Sequence, residues 1–162
     1  MQVSPLMIAA DCGERLWYDG GQITFKATCA QTAGAFLLFE AAMPVGKATP
    51  LHVHRDADET IYVLEGGIQV DVGGTRESLG SGGVLVVPRG AAHAFRVVTG
   101  PAKLLVVFTP GSAISEAFFR EASEPVPGTT PPESGALLDR LMAAAKRTGL
   151  EVIGPPPFAP AA

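Results

Sequence analysis

Three histidines occur in the 162 residues of this chain, and all three fall into one pattern with a glutamate. His52 and His54 stand two apart, Glu59 follows the short stretch Arg55-Asp56-Ala57-Asp58, and His93 follows the turn-forming Pro88-Arg89-Gly90. Three imidazoles and one carboxylate are a sufficient donor set for a transition metal, since neutral imidazole suits Zn, Cu, Fe and Ni. On an extended strand His52 and His54 point to one face while Val53 points away. Taken singly, a buried histidine is more often a satisfied core residue, and a glutamate at a strand start an exposed carboxylate. All four in register make a metal site the stronger reading. Cys12 and Cys29 form no paired motif and read as reduced thiols rather than as a disulfide or as ligands.

The elements that must position these residues are short strands. From about residue 20 to about residue 110, β-branched and aromatic runs alternate with glycine. GGQITFKATCA and GAFLLFEAAMP are two such runs. ETIYVLEGGIQVDVGG predicts two strands joined by a tight turn at Gly66-Gly67. ESLGSGGVLVVPRG, HAFRVVTG and KLLVVFTP continue the series, which argues for a sandwich or barrel, the jelly roll among them. Hairpin geometry then places two ligands on one strand, a third on its neighbour and a fourth across the barrel.

Beyond Pro110 the pattern becomes helical. SAISEAFFREAS predicts a short helix capped by Ser112, with Ile114, Phe118 and Phe119 apolar. SEPVPGTTPPES reads as a proline-rich connector. ESGALLDRLMAAAKRTGL places Leu137, Leu138, Leu141 and Met142 on one stripe and ends at Gly149, as a capped amphipathic helix should. That helix is expected to pack outside the barrel; a partner surface or a pocket lid are the functional alternatives. The expected organisation is one domain over residues 1–162: a barrel from about 20 to 110, a helical extension from about 112 to 150, and an irregular tail from 151 to 162. No internal repeat is present, so one barrel is expected.

With 47% apolar and 17% charged residues the chain is globular, of single-domain length. A net charge of −4 provides no electrostatic footprint for nucleic acid or an anionic membrane. The N-terminal residues lack a basic leader followed by an apolar run, and no apolar run reaches the length of a membrane span. A cytoplasmic location is the default expectation.

Gly46, His52, His54, Glu59 and Gly66 resemble the first motif of the cupin superfamily at every position, and Gly82, Pro88, Gly90 and His93 resemble the second. That second motif usually closes with asparagine where this chain has Val97. PLHVHRDADETIYVLEGG, with the downstream SAISEAFFREAS segment, is similar to bacterial monocupins described as quercetin 2,3-dioxygenase-like. The resemblance implies an all-β cupin jelly-roll barrel with C-terminal helices packed outside. It further implies that His52, His54, Glu59 and His93 bind one divalent transition metal, Fe, Mn, Ni, Cu or Zn, in the barrel interior. Coordination positions left open are what separate a catalytic site from a closed structural one. A homodimer is implied by the resemblance alone.

Strand parity extends the reading to the site's walls. If Glu59 points inward, Ile61 and Val63 share its face while Thr60 and Tyr62 point away; if His93 points inward, so do Phe95 and Val97. A wall of Ile61, Val63, Phe95 and Val97 suits a flat or hydrophobic small molecule better than a sugar phosphate, although the same side chains are what fills any small barrel. Arg96 has the wrong parity, and Arg55 and Arg89 sit in turns. Glu59 is left as the candidate general base beside a metal acting as Lewis acid. Three functions fit: a metal-dependent dioxygenase of an aromatic or enolic small molecule, a non-redox cupin isomerase or lyase, and a non-catalytic small-molecule-binding cupin. A cupin-type regulator needs a helix-turn-helix module, which the stretch before Gly20 is too short to hold. Seed storage needs two barrels.

Overall fold

Side chains alternate across a strand, and that alternation sorts the residues from Glu14 to Thr109 into an inward apolar face and an outward mixed one. In a computed structural model, residues 4–10, 12–126 and 137–158 are described, without the side chains of Leu137 and Leu138. Most of the expected proline-rich connector and the last residues of the tail lie outside the described residues. In chain order the strands are β1 (Glu14–Tyr18), β2 (Gly21–Ala27), β3 (Leu37–Met43), β4 (Leu51–Val53), β5 (Asp58–Val72), β6 (Thr75–Gly80), β7 (Val84–Val87) and β8 (His93–Thr109). They are followed by α1 (Ala113–Ala122), β9 (Glu124–Pro125), α2 (Leu137–Thr148) and β10 (Glu151–Gly154). In β2 the pattern is plain: Gly21, Ile23, Phe25 and Ala27 are buried, and Gln22, Thr24 and Lys26 are half-buried between them.

Pairing is antiparallel and runs β10-β4-β8-β3-β2-β1-β9, with β5 joined to β6, β7 and β8. β8 is the spine: one half pairs with β3, the other meets β4, and both halves pair with β5. This is the all-β barrel expected, its interior packed by Ile23, Leu37, Phe39, Ile61, Ile68, Leu104 and Phe108.

Three local expectations are corrected. Gly66-Gly67 is no hairpin; β5 runs continuously through it, and β8 absorbs the two expected strands HAFRVVTG and KLLVVFTP. The glycine has another purpose. Gly66 has φ +75°, and a Cβ there would lie 2.5 Å from the Thr99 carbonyl oxygen and 2.9 Å from Ala102 Cα. Pairing between β5 and β8 shifts register at that place, between Val63 and Ile68, as a bulged strand does when it bends. The hairpin lies instead at Gly73-Gly74, whose φ values of +58° and +86° suit a two-residue turn between the paired Val72 and Thr75. Second, β1 precedes the expected start of the barrel. Its turn at Asp19-Gly20, φ +46° and +74°, is the same kind of hairpin. Third, the tail from residue 151 supplies β10, which pairs with β4 and is tied by Arg55 to Glu151 at 2.7 and 2.9 Å.

Because Gly66 combines a left-handed φ with a backbone contact that cannot yield, Gly66→Ala is expected to cost about 2 kcal/mol or more. The urea unfolding midpoint measures it, and a midpoint equal to wild type would count against the bend described here.

The helices lie outside the barrel strands, and Phe118, Phe119 and Leu141 line one cavity with Ile23, Phe39, Leu104 and Val106. Phe118, Ala122, Leu141, Ala144, Ala145 and Leu150 form a second apolar cluster, continued towards the barrel by Tyr18 and Phe119. Ion pairs from Arg147 to Glu121 and from Arg140 to Glu124 fasten α2 to α1 and β9. Leu141 is buried, whereas Met142 is exposed towards solvent and reaches the cavity edge. No helix among the described residues is long and apolar enough to cross a membrane.

Candidate metal centre

His52 lies in β4 and pairs directly with His93, the first residue of β8; His54 follows β4, and Glu59 is the second residue of β5. The neighbour of the His52 strand is therefore the His93 strand, and Glu59 comes from across the barrel, where it pairs with Val87 and Phe108. The expectation had these two exchanged. The reason is the length of β8, whose start crosses to β4 while its end stays with the start of β5. The turn before His93 is locked to the first motif, since the Gly90 N–H donates to the His54 carbonyl at 2.7 Å. Gly90 has φ +85° there.

These four side chains converge: one donor atom from each lies within 4.8 Å of all the others. His54, Glu59 and His93 are buried and His52 is partly so. The far nitrogen of each ring is held. His52 Nδ1–H donates to the Pro50 carbonyl at 2.8 Å, His93 Nδ1–H to the Ala91 carbonyl at 3.1 Å, and His54 Nδ1 lies 3.2 Å from Ser115 Oγ. A carbonyl can only accept, so in the neutral rings of His52 and His93 the lone pair is on Nε2. His54 Nε2 is buried without a hydrogen-bond partner among the described residues, 3.6 Å from Glu59 Oε2. An orphaned buried nitrogen is costly in a closed site and is what a metal ion at the centre of the cluster would satisfy. This donor set fits a divalent transition metal ligated at about 2 Å.

Electrostatics within the cluster point the same way. Burial, with the neighbouring imidazoles His93 and His54, pushes the His52 pKa down to about 3, and burial likewise lowers that of His54. Burial raises the Glu59 carboxyl, but the hydrogen bond from His93 and the surrounding imidazoles outweigh it and bring it down to about 2. Burial works against charge on His93 too, yet its 2.8 Å contact with Glu59 prevails and raises its pKa. In the metal-free protein these shifts favour charge on the His93–Glu59 pair over charge on His52 or His54. Metal ligation would replace the shared proton.

His52, His54 and Glu59 border a cavity of about 70 Å³. Its walls come from β1, β2, β3 and β8 (Tyr18, Ile23, Phe39, Leu104, Val106) and from the helical layer (Phe118, Phe119, Leu141, Leu150). Of the four wall residues expected from parity, Phe95 lines this cavity. Ile61, Val63 and Val97 are buried in the barrel core and are not among its lining residues. Tyr62 is exposed.

Sequence reasoning missed Tyr18, whose phenol makes no hydrogen bond among the described residues. Burial first, then the charges of Asp19 and Glu59, raise its pKa, so the hydroxyl stays protonated and able to donate. The signal for it was Asp-Gly between apolar runs, at Asp19-Gly20. Ser115 was also missed, and its helical position carries no motif.

Residues 39–108 match the family described as the cupin domain. Over 153 residues the chain is 29% identical to the quercetin 2,3-dioxygenase of Bacillus subtilis, covering 93% of this chain and 45% of that protein. The chain thus spans less than half the length of that relative. An RmlC-like cupin from Shewanella frigidimarina superposes with a TM-score of 0.60 at 23% identity, covering 70% of this chain and 97% of the other. KdgF from Halomonas sp. superposes with a TM-score of 0.60 at 18% identity, covering 68% and 96%. Residues 39–108 of the chain thus carry a cupin domain.

Proposed function

We propose that this cupin is a metal-dependent dioxygenase of an aromatic or enolic small molecule. The observation that carries the reading is a carboxylate, Glu59, set among three imidazoles and bordering a largely apolar, aromatic-lined cavity. A bound divalent transition metal would supply Lewis acidity towards a substrate oxygen and, if redox-active, electron transfer to dioxygen. His52, His54 and His93 would hold it through Nε2. Glu59 is ionised at rest, and it would take the enol proton of a substrate made acidic by binding to the metal. Tyr18, which also lines the cavity, provides a donor suited to a second substrate oxygen. Phe39, Phe118 and Phe119 would clasp a planar apolar body and exclude water.

The cavity volume bears on the substrate. At about 70 Å³ it is below the roughly 300 Å³ at which sites for drug-sized ligands begin. A compact enolic compound such as a β-diketone would need less displacement of the helical layer than a flavonol. Dimerisation, implied by the resemblance, and a cytoplasmic location, the default expectation, belong to the same reading.

Oxygen uptake tests the proposal. Protein reconstituted separately with Fe, Mn, Ni and Cu is expected to consume dioxygen with a β-diketone or a flavonol, and Glu59→Gln to lose that consumption. A Zn-only protein, inert towards dioxygen under every reconstitution, would count against dioxygenase chemistry.

A further inference from the structure

Two of the three imidazoles are oriented from within their own chain segments, by the carbonyls of Pro50 and Ala91, each two residues upstream. His54 is different. Its Nδ1 meets the hydroxyl of Ser115, which belongs to α1 and lies outside the residues that match the cupin domain. We infer that Ser115 is a positioning residue for His54, so that the helix covering the cavity is part of the metal centre. This rests on the reading that the four clustered side chains bind a metal.

Ser115 is fully buried, and a buried hydroxyl requires a partner. At 3.2 Å its side-chain partner is His54 Nδ1. With Nδ1–H donating to Ser115 Oγ, the Nε2 lone pair is directed at Glu59, where a metal would be held. The alternative tautomer would place a proton on Nε2 and close that position. The hydroxyl is itself fixed. Ser112 caps α1 by accepting the Ser115 N–H at 2.8 Å and donates to Asp56 Oδ2 at 2.8 Å. Asp56 stands in the loop between His54 and Glu59, so the first helical turn is fastened on both sides of the ligand it orients. Phe108 packs edge-on against the His54 ring, 4.8 Å between centroids, and Phe119 of the same helix lies beyond it.

The consequence is a linkage. A metal that fixes the His54 ring also fixes the hydroxyl and the turn that carries it, and loosening that turn must weaken the metal by the same factor. Entry of a substrate beneath α1 therefore bears on the metal ligand as well as on the cavity volume.

Ser115→Thr and Ser115→Val separate hydroxyl from shape, because the two side chains are nearly isosteric. Cobalt(II), titrated into the chelator-stripped full chain and followed by its visible absorption, is expected to bind the Val variant about 10–100-fold more weakly than the Thr variant. Amide exchange in the first turn of α1 is expected to slow on cobalt binding in the Thr variant and not in the Val variant. Equal cobalt affinities in two folded variants overturn the positioning role while leaving the metal centre intact. A wild-type protein that binds no cobalt overturns both. Should neither variant fold, long-range proton–nitrogen spectra of the wild-type protein decide. A slowly exchanging His54 Nδ1 proton supports the role, and an unprotonated Nδ1 overturns it.

Discussion

His93→Ala protein, purified without a histidine tag, is expected to bind its metal more than about 100-fold more weakly than wild type. Loss of an outer hydrogen-bonding partner alone costs about 10–100-fold in such sites, and this change removes a donor atom outright. It also leaves Glu59 a buried carboxylate without its 2.8 Å partner, so the remaining cluster is less well organised for the ion. His52→Ala is expected to act in the same direction. The comparison residues lie in the stretch between His54 and Glu59. Asp58 is exposed and engaged with Arg89 at 2.8, 3.0 and 3.1 Å, and Asp56 faces Ser112. Asp58→Ala should therefore keep the metal at full affinity, and Asp56→Ala, which loosens the turn carrying Ser115 without removing a donor, should keep it with a smaller loss than His93→Ala. Elemental analysis of the four proteins measures it, and full occupancy in His93→Ala would remove the assignment.

How far the site could be read from sequence depended on where each residue's information is stored. The four donors were legible because imidazole is scarce in this chain and because their spacing is local to β4, the start of β5 and the start of β8. Their mutual arrangement was less so. Which strand neighbours β4 is decided by β8, 17 residues long, and no local pattern announces that its first residue will cross to His52. The glycine at 66 illustrates the same limit. Gly-Gly signals a departure from ordinary backbone, but whether it makes a turn or a bend depends on Thr99 and Ala102 approaching from a distant strand.

The cavity was harder still. Parity states which face a side chain occupies but not which layer of the barrel it reaches, so Ile61 and Val63 fall in the packed core while Phe95 borders the cavity. The other walls come from β1, α1, α2 and β10, whose apolar residues look in sequence like any amphipathic stripe. The proportion of polar atoms needed to orient a substrate is small. Here it amounts to Tyr18 and Thr49 beside the metal cluster, and Thr49 already accepts the Phe95 N–H at 3.0 Å. A single phenol carries no motif.

Acid should unfold the metal-free protein much earlier than the metal-loaded one. In the unfolded chain His52 takes up its proton near the ordinary value of 6.5, whereas in the folded protein it does so only near 3. Between those values the unfolded state binds more protons, so stability falls as pH falls. His54 acts in the same direction. His93 opposes them: its folded pKa is raised, so its contribution is complete in acid and fades only as pH rises through that value. The Glu59 contribution is present above about 4.5 and disappears on the way down to about 2. The His52 difference alone is on the order of 5 kcal/mol when fully expressed, of which roughly 2 kcal/mol would be lost by about pH 5. A metal bound by deprotonated ligands adds stability near neutrality, and that addition too declines as protons compete for the same nitrogens. Urea midpoints of chelator-treated protein at about pH 7.5 and about pH 5 measure the first effect. His52→Phe, which removes the titrating group, should flatten the profile. Equal midpoints at the two pH values in the wild-type protein would mean that the buried imidazoles are not held neutral. The proton traffic ascribed to the centre, His93–Glu59 pair included, would then have to be redrawn.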